Sequence, residues 1–216
     1  MQAIHPSQSF NYKKIISKNA HVLNWYDKFH KYNDTTQTYV RDLDLENVKP
    51  QRAGVILYTY HQNNIYFGVG VDTKSKDLTD FGGGIQYKLN KDGNVIRGAL
   101  REFAEETLEI FKPLYFNDIK DCPVIYDKDN LIIFVQIGLN PLDVSTCFNM
   151  KYNQMCMINF FNKVIPHYYK RVHDPEVCEI KWLSLYEFKT SLIVHGTFFT
   201  RVRKFLLQAG DITDFI

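Results

Sequence analysis

Four glutamates, Glu102, Glu105, Glu106 and Glu109, follow one another at intervals of three, one and three residues, so that Glu102/Glu106 and Glu105/Glu109 are four apart. On an α-helix that spacing places them on one face, within an arc of roughly 100°. Each like-charge neighbour of this kind costs about 0.2–0.5 kcal/mol on an exposed helix, and more where the face lines a cleft. Arg101 alone cannot neutralise four carboxylates. A hard divalent cation can, because Mg²⁺ takes oxygen ligands and usually binds through a few carboxylates together with water and substrate phosphates. Hydrolysis of a phosphoanhydride needs the same arrangement, with the ion neutralising phosphate oxygens and lowering the pKa of a bound water. The competing explanation is a solvated acidic surface, for which such clusters are common.

The glycine triplet Gly82-Gly83-Gly84 favours the chemical reading. It ends a β-type stretch shortly before the acidic helix, where backbone can approach a ligand closely and offer carbonyls to a cation or amides to a phosphate.

The elements that position these residues are legible from periodicity. Apolar runs at Gly54–Tyr60 and Ile65–Val71, separated by His61-Gln-Asn-Asn64, predict a β-hairpin. The acidic helix spans about Val95 to Ile110, with Ile96, Leu100, Phe103, Thr107 and Ile110 on its core face. Strands are expected at Pro123–Tyr126, Leu131–Leu139 and Glu179–Leu183. A helix is expected over Met155–Tyr169, ended by Pro166, and another over Leu185–Gln208, broken near Gly196. Residues 1–50 read as an N-terminal extension with one helix, Ala20–Tyr32, and residues 51–216 as the main domain. The order of strands, helix, strands and helix predicts an α+β fold, a mixed sheet sandwiched between helices.

Composition narrows the function. With 216 residues and 45% hydrophobic content the chain can bury one good core, and 26 basic against 24 acidic residues do not announce a nucleic-acid binder. Cys122, Cys147, Cys156 and Cys178 lack the paired spacing of zinc sites or of a secreted disulfide framework and are expected to be reduced core thiols. The first residues show no basic region followed by an apolar stretch, and no apolar run is long enough to span a bilayer, so a soluble, intracellular, cytoplasmic protein without membrane partners is expected. A phosphate-binding Gly-x-x-x-x-Gly-Lys loop and a two-histidine zinc helix are both missing, which disfavours kinase-like and zinc-hydrolase chemistry.

The segment Arg101-Glu102-Phe103-Ala104-Glu105-Glu106-Thr107 resembles the central part of the Nudix box, in which a glycine and a later glutamate precede Arg-Glu-apolar-any-Glu-Glu-any-Gly-apolar. The flanks are similar too, Arg52–Val55 to a first Nudix strand and Glu179–Phe188 to the strand and turn before the last helix. The resemblance implies a Nudix-like fold and a pyrophosphohydrolase that uses Mg²⁺ or Mn²⁺. It implies metal binding by Glu102, Glu105 and Glu106, with Gly83 or Gly84 as the leading glycine and Gly83 among the metal-binding positions. It also implies that Arg101 orients one of the glutamates through a charged hydrogen bond. The sequence departs from the box in three places. The stretch from Gly84 to Arg101 is longer, Asp92 or Gly93 stands where the early glutamate belongs, and Leu108 replaces the terminal glycine, so that the helix is expected to run on. The general base is left open among Glu102, Glu176 and Glu179, since family members place it on different elements.

Substrate selection is less legible. In His167–His173, Tyr168, Lys170 and Arg171 interleave aromatic and basic side chains, as a site that stacks a base and grips phosphates does. Gly84 completes the expected substrate contacts. The bond type implied is the phosphoanhydride of a nucleoside diphosphate linked to another group: a nucleotide-sugar, a dinucleoside polyphosphate, a noncanonical nucleoside triphosphate or capped RNA. Lys13, Lys14, Lys18, Arg201, Arg203 and Lys204 are the residues from which an RNA track would be built, which keeps mRNA decapping open, as is a homodimeric assembly. The alternative from another class is a Nudix-fold module that binds a nucleotide or partner without hydrolysing it.

Overall fold

The computed structural model describes residues 35–87, 91–165, 174–194, 196–209, 212 and 216. The expected helix over residues 20–32 and the lysines at 13, 14 and 18 lie outside them. In chain order the elements are β1 (Thr36–Tyr39), β2 (Arg52–His61), β3 (Asn64–Asp72), β4 (Leu78–Thr79), β5 (Phe81–Gly84), α1 (Val95–Glu106), the single turn α2 (Phe116–Ile119), β6 (Pro123–Tyr126), β7 (Asn130–Gln136), α3 (Pro141–Val164), β8 (Val177–Ser184), α4 (Leu185–Ile193) and α5 (Thr200–Gln208). Among the described residues no helix is long and apolar enough to cross a membrane.

The fold is α+β, a mixed sheet between helices. Its order is β1-β6-β7-β2-β3-β4, with β5 on β2 and β8 on β3. Only β2 and β7 run parallel among these pairs; the rest are antiparallel. Strand β2 is the hinge of this arrangement. Its first half, Arg52–Val55, pairs with the glycine strand β5, and its second half, Leu57–His61, pairs with β3. The period of two explains why the run Ala53–Tyr58 is apolar throughout. Ala53, Val55 and Leu57 face a core shared with α1 and the first turns of α3, while Ile56 and Tyr58 face a second core shared with α4 and α5. Strand β7 divides in the same way, with Leu131, Ile133 and Val135 on one side and Ile132 and Phe134 on the other.

The expected hairpin forms, with Gln62 and Asn63 both at positive φ in its two-residue turn, the backbone that Asn tolerates best among non-glycine residues. Three expectations are corrected. The helix expected at Met155–Tyr169 begins at Pro141, where Asn140 accepts a hydrogen bond from the Leu142 amide and Pro141 takes the first helical position. An Asn-Pro start of this kind is a helix-initiation signal that apolar periodicity alone overlooks. Cys147 and Cys156, expected in the core, are exposed, whereas the break expected near Gly196 is present, with Leu185–Ile193 and Thr200–Gln208 as separate helices and Gly196 at φ +79°. Helix α1 does not run on past Leu108. It ends at Glu106, and Leu108 and Glu109 take φ values of 57° and 56°. Leucine is a poor residue for that conformation, yet Leu108 is only 5% exposed, so burial of its side chain offsets the backbone cost. Residues 36–39, read from sequence as part of the extension, form an edge strand on β6, and Val40 and Leu43 enter the first core.

Candidate active site

Helix α1 is fixed at its start by Asn94, whose side chain accepts a hydrogen bond from the Arg97 amide. Val95, Ile96, Ala99 and Phe103 bury one face against the sheet, with Leu100 and Ile110 packed against the same core. Glu102 and Glu106 are thereby turned toward β5, and Glu105 and Glu109 are exposed. Gly83 lies so close to Glu102 that a Cβ there would meet the carboxylate, and the Gly82 amide donates to Glu106 at 2.6 Å. A side chain at Gly82 would collide with the backbone of Gly54 and Ala53 instead. The glycine run is therefore needed for two different close approaches, helix to strand and strand to strand.

Behind β5 lies a charge pair that the sequence did not reveal as part of the site. Arg52 donates from both terminal nitrogens to Asp80, at 2.7 Å each, and from one of them to the Gly82 carbonyl at 2.7 Å. Asp80 is fully buried. Burial opposes the charge on Arg52, but Asp80, with Glu106 and Glu102 beyond it, raises its pKa overall. The nearest signal in the sequence was Arg52 at the head of an apolar strand, a charge in an otherwise core-bound run.

Arg101 is the centre of the site's polar contacts. It holds Asp92 through two hydrogen bonds, reaches Glu102 at 2.8 Å and Glu105 at 3.3 Å, and donates to the Gly84 carbonyl at 3.1 Å. Among the four glutamates, Glu102 is the one Arg101 approaches most closely. The Asp92 carboxylate is taken up by Arg101 and by the Gln86 amide. Those donors hold its pKa below the usual value.

Glu102 and Glu106 go the other way. Burial raises both, with Glu105 and Glu176 adding to the effect at Glu102 and Asp80 at Glu106, while Arg101, Arg52 and the Gly82 amide oppose it. Two carboxylates are therefore desolvated with insufficient positive charge from the protein itself.

These groups open onto a cleft of about 740 Å³. One wall is Glu102, Glu105, Glu106 and Glu109; the others are a face of α3 and the segment Asp174–Glu176. That segment is anchored from both sides. Thr73 binds the Pro175 carbonyl through its hydroxyl at 2.9 Å and the Glu176 carbonyl through its amide at 2.7 Å, and Asn159 of α3 donates to Asp174 at 2.8 Å. The fold thus brings Glu176 to the carboxylates of α1, whereas Glu179 is on β8, outside the lining of this cleft. Tyr168, Lys170 and Arg171 lie outside the described residues. Of the α3 side chains that line the cleft, Lys151 and Gln154 precede the expected helix start at Met155, and Met155 and Ile158 fall inside the expected helix without being singled out as site residues.

The donor set suits a hard divalent ion: carboxylate oxygens, two of them desolvated, beside the glycine strand β5, whose Gly82 and Gly84 carbonyls accept from Arg52 and Arg101. Among the described residues no three acidic, imidazole or thiol groups already converge on one point. Mg²⁺ does not require such a cage, since it retains waters and shares substrate phosphates with one or two carboxylates.

No protein-family model and no curated protein matches the chain. Among solved structures it is similar to a C. elegans Ap4A hydrolase, at 21% identity over 43% of this chain and 70% of that one, with a TM-score of 0.30. It is similar to the NUDIX domain of Shewanella oneidensis NrtR complexed with ADP ribose, at 13% identity over 69% and 82%, TM-score 0.36. A binary complex of a C. elegans Ap4A hydrolase gives 9% identity over 74% and 94%, TM-score 0.36.

Proposed function

We propose that this protein is a divalent-metal-dependent pyrophosphohydrolase of the Nudix type, cleaving a phosphoanhydride bond in a nucleoside diphosphate linked to another group. The observation that carries this reading is the single cleft onto which Glu102, Glu105, Glu106 and Glu176 open, with Glu102 and Glu106 desolvated and raised in pKa. Glu102, Glu105, Glu106 and the Gly83 carbonyl are the groups we assign to hold Mg²⁺ or Mn²⁺. Such an ion supplies charge neutralisation at the phosphates and a bound water of lowered pKa.

The chain's own residues do the rest. Arg101 keeps the Glu102 carboxylate oriented, and Asp92 keeps Arg101 in place. Arg52 balances Asp80 and Glu106 from behind the glycine strand. Glu176 is our choice to take the proton of the attacking water, because it approaches the cleft from another element and its charge is felt at Glu102.

The experiment is a screen of purified protein against nucleotide-sugars, dinucleoside polyphosphates, nucleoside triphosphates and capped RNA, with Mg²⁺ or Mn²⁺ and with chelator. Metal-dependent hydrolysis that disappears in the Glu105→Gln, Glu106→Gln double variant supports the assignment. Turnover that survives both substitutions, or that ignores chelator, overturns it.

A further inference from the structure

The long helix α3 presents Lys151, Gln154, Met155 and Ile158 to the cleft, across from the carboxylates of α1. Their spacing of three, four and seven residues makes them one continuous helix face. The rest of the lining is strongly acidic: Glu102, Glu105, Glu106, Glu109, Asp174 and Glu176. Lys151 is the single cation among the lining residues. Among the described residues no carboxylate lies within ion-pair distance of it, although six line the same cleft. Its ammonium is not spent on holding the fold together. Met155 and Ile158, one and two turns further along, are partly buried and apolar, and the segment facing them is tied to α3 by the bond from Asn159 to Asp174.

Resting on the proposed hydrolase function, we infer that α3 is the wall that reads the substrate: Lys151 binds a phosphate lying away from the α1 carboxylates, and Met155 with Ile158 forms the shelf for the flat ring of a nucleoside. A compact, strongly hydrated ammonium grips a phosphate as a point charge, without the bidentate geometry of arginine. A mostly acidic cleft would repel a polyphosphate unless a bound cation and Lys151 flanked it from opposite walls. The apolar shelf follows the usual construction of a ligand pocket, in which a few polar groups orient a molecule whose area is buried against apolar side chains. The ligand class is a nucleoside with at least two linked phosphates.

The test uses the full chain and calorimetric titration with ADP and, separately, inorganic pyrophosphate, with Ca²⁺ present so that binding is read without turnover. Lys151→Ala is expected to weaken both ligands about tenfold, the loss of one charge-assisted contact, and Lys151→Arg to recover most of it. Met155→Ala combined with Ile158→Ala is expected to weaken ADP about tenfold and leave pyrophosphate unchanged. The inference is overturned if Lys151→Ala leaves both affinities intact, if the apolar variant weakens both ligands equally, or if the unmodified protein binds neither. Failure of the hydrolase reading is a separate result, since it is decided by turnover and by Glu105 and Glu106.

Discussion

Arg101 grips both oxygens of Asp92, from Nε at 2.8 Å and from a terminal nitrogen at 3.0 Å, and the Asp92 side chain is 1% exposed. The remaining terminal nitrogen of Arg101 points at Glu102 and Glu105. One guanidinium therefore couples the loop before α1 to the carboxylate face of α1. A buried acid anchors the arginine that contacts one half-buried and one exposed acid of α1.

Asp92→Asn removes the charge and turns one of the two acceptor oxygens into an NH2 donor while keeping the shape. The expected cost is about 1–3 kcal/mol, typical of a damaged buried hydrogen bond to a charged group. Arg101, released on one side, should lean further onto Glu102 and Glu105 and weaken Mn²⁺ binding. A urea midpoint and a Mn²⁺ titration measure the two effects, and a variant that matches the parent in both disproves the anchoring role.

The three glycines of β5 should respond differently to alanine. At Gly83 the new methyl group meets the Glu102 carboxylate, a flexible side chain that can swing away, so metal affinity falls with little loss of stability. At Gly82 it meets the backbone of Gly54 and Ala53, and the strand pair itself must open. At Gly84 it meets nothing within 4 Å, so thermal stability stays at the parental level. Melting temperatures should order the variants as Gly84→Ala, then Gly83→Ala, with Gly82→Ala lowest.

Arg52→Met should be among the most damaging single changes. It leaves Asp80 fully buried without its bidentate partner, and breaking a buried pair in this way costs about 3–5 kcal/mol. The double variant Arg52→Met, Asp80→Leu should recover part of that loss, because no charge is left uncompensated. Chemical denaturation of the single and double variants checks the sign of the coupling.

The raised pKa values of Glu102 and Glu106 predict an unusual pH response. Both groups bind protons more readily folded than unfolded, so the metal-free protein gains stability as pH falls from neutral toward the ordinary value of 4.5 and loses it as pH rises through the folded values. Asp92, held low, contributes in the opposite direction, but only below its ordinary value of 3.8. Without metal, the melting temperature at about pH 5.5 should exceed that at about pH 7.5. Mg²⁺ should raise the higher-pH value selectively, because protons compete with the ion for the same oxygens. Equal melting temperatures at both pH values in chelator count against desolvated carboxylates.

The features legible in the sequence are those encoded locally. The carboxylate face of α1 was visible because Glu102, Glu105 and Glu106 belong to neighbouring turns and helical periodicity alone sets their direction. The β2–β3 hairpin was visible for the same reason, through alternation and a polar turn. The end of α1 was misread, since only the packing of Leu108 decides that a leucine takes a left-handed backbone in place of continuing the helix.

The rest of the site depends on contacts between residues distant in the chain. Arg52 and Asp80 are 28 positions apart and meet only because β2 pairs with β5. Glu176 and Lys151 reach the carboxylates of α1 because β8 pairs with β3 and α3 is tied to β8 through the bond from Ser145 to the Ile180 carbonyl. The amino-acid sequence by itself determined a helix face that calls for a cation, because backbone periodicity is a local property. Tertiary structure alone decided what surrounds that face, because burial and electrostatic coupling are set by distance in space and not by separation along the chain.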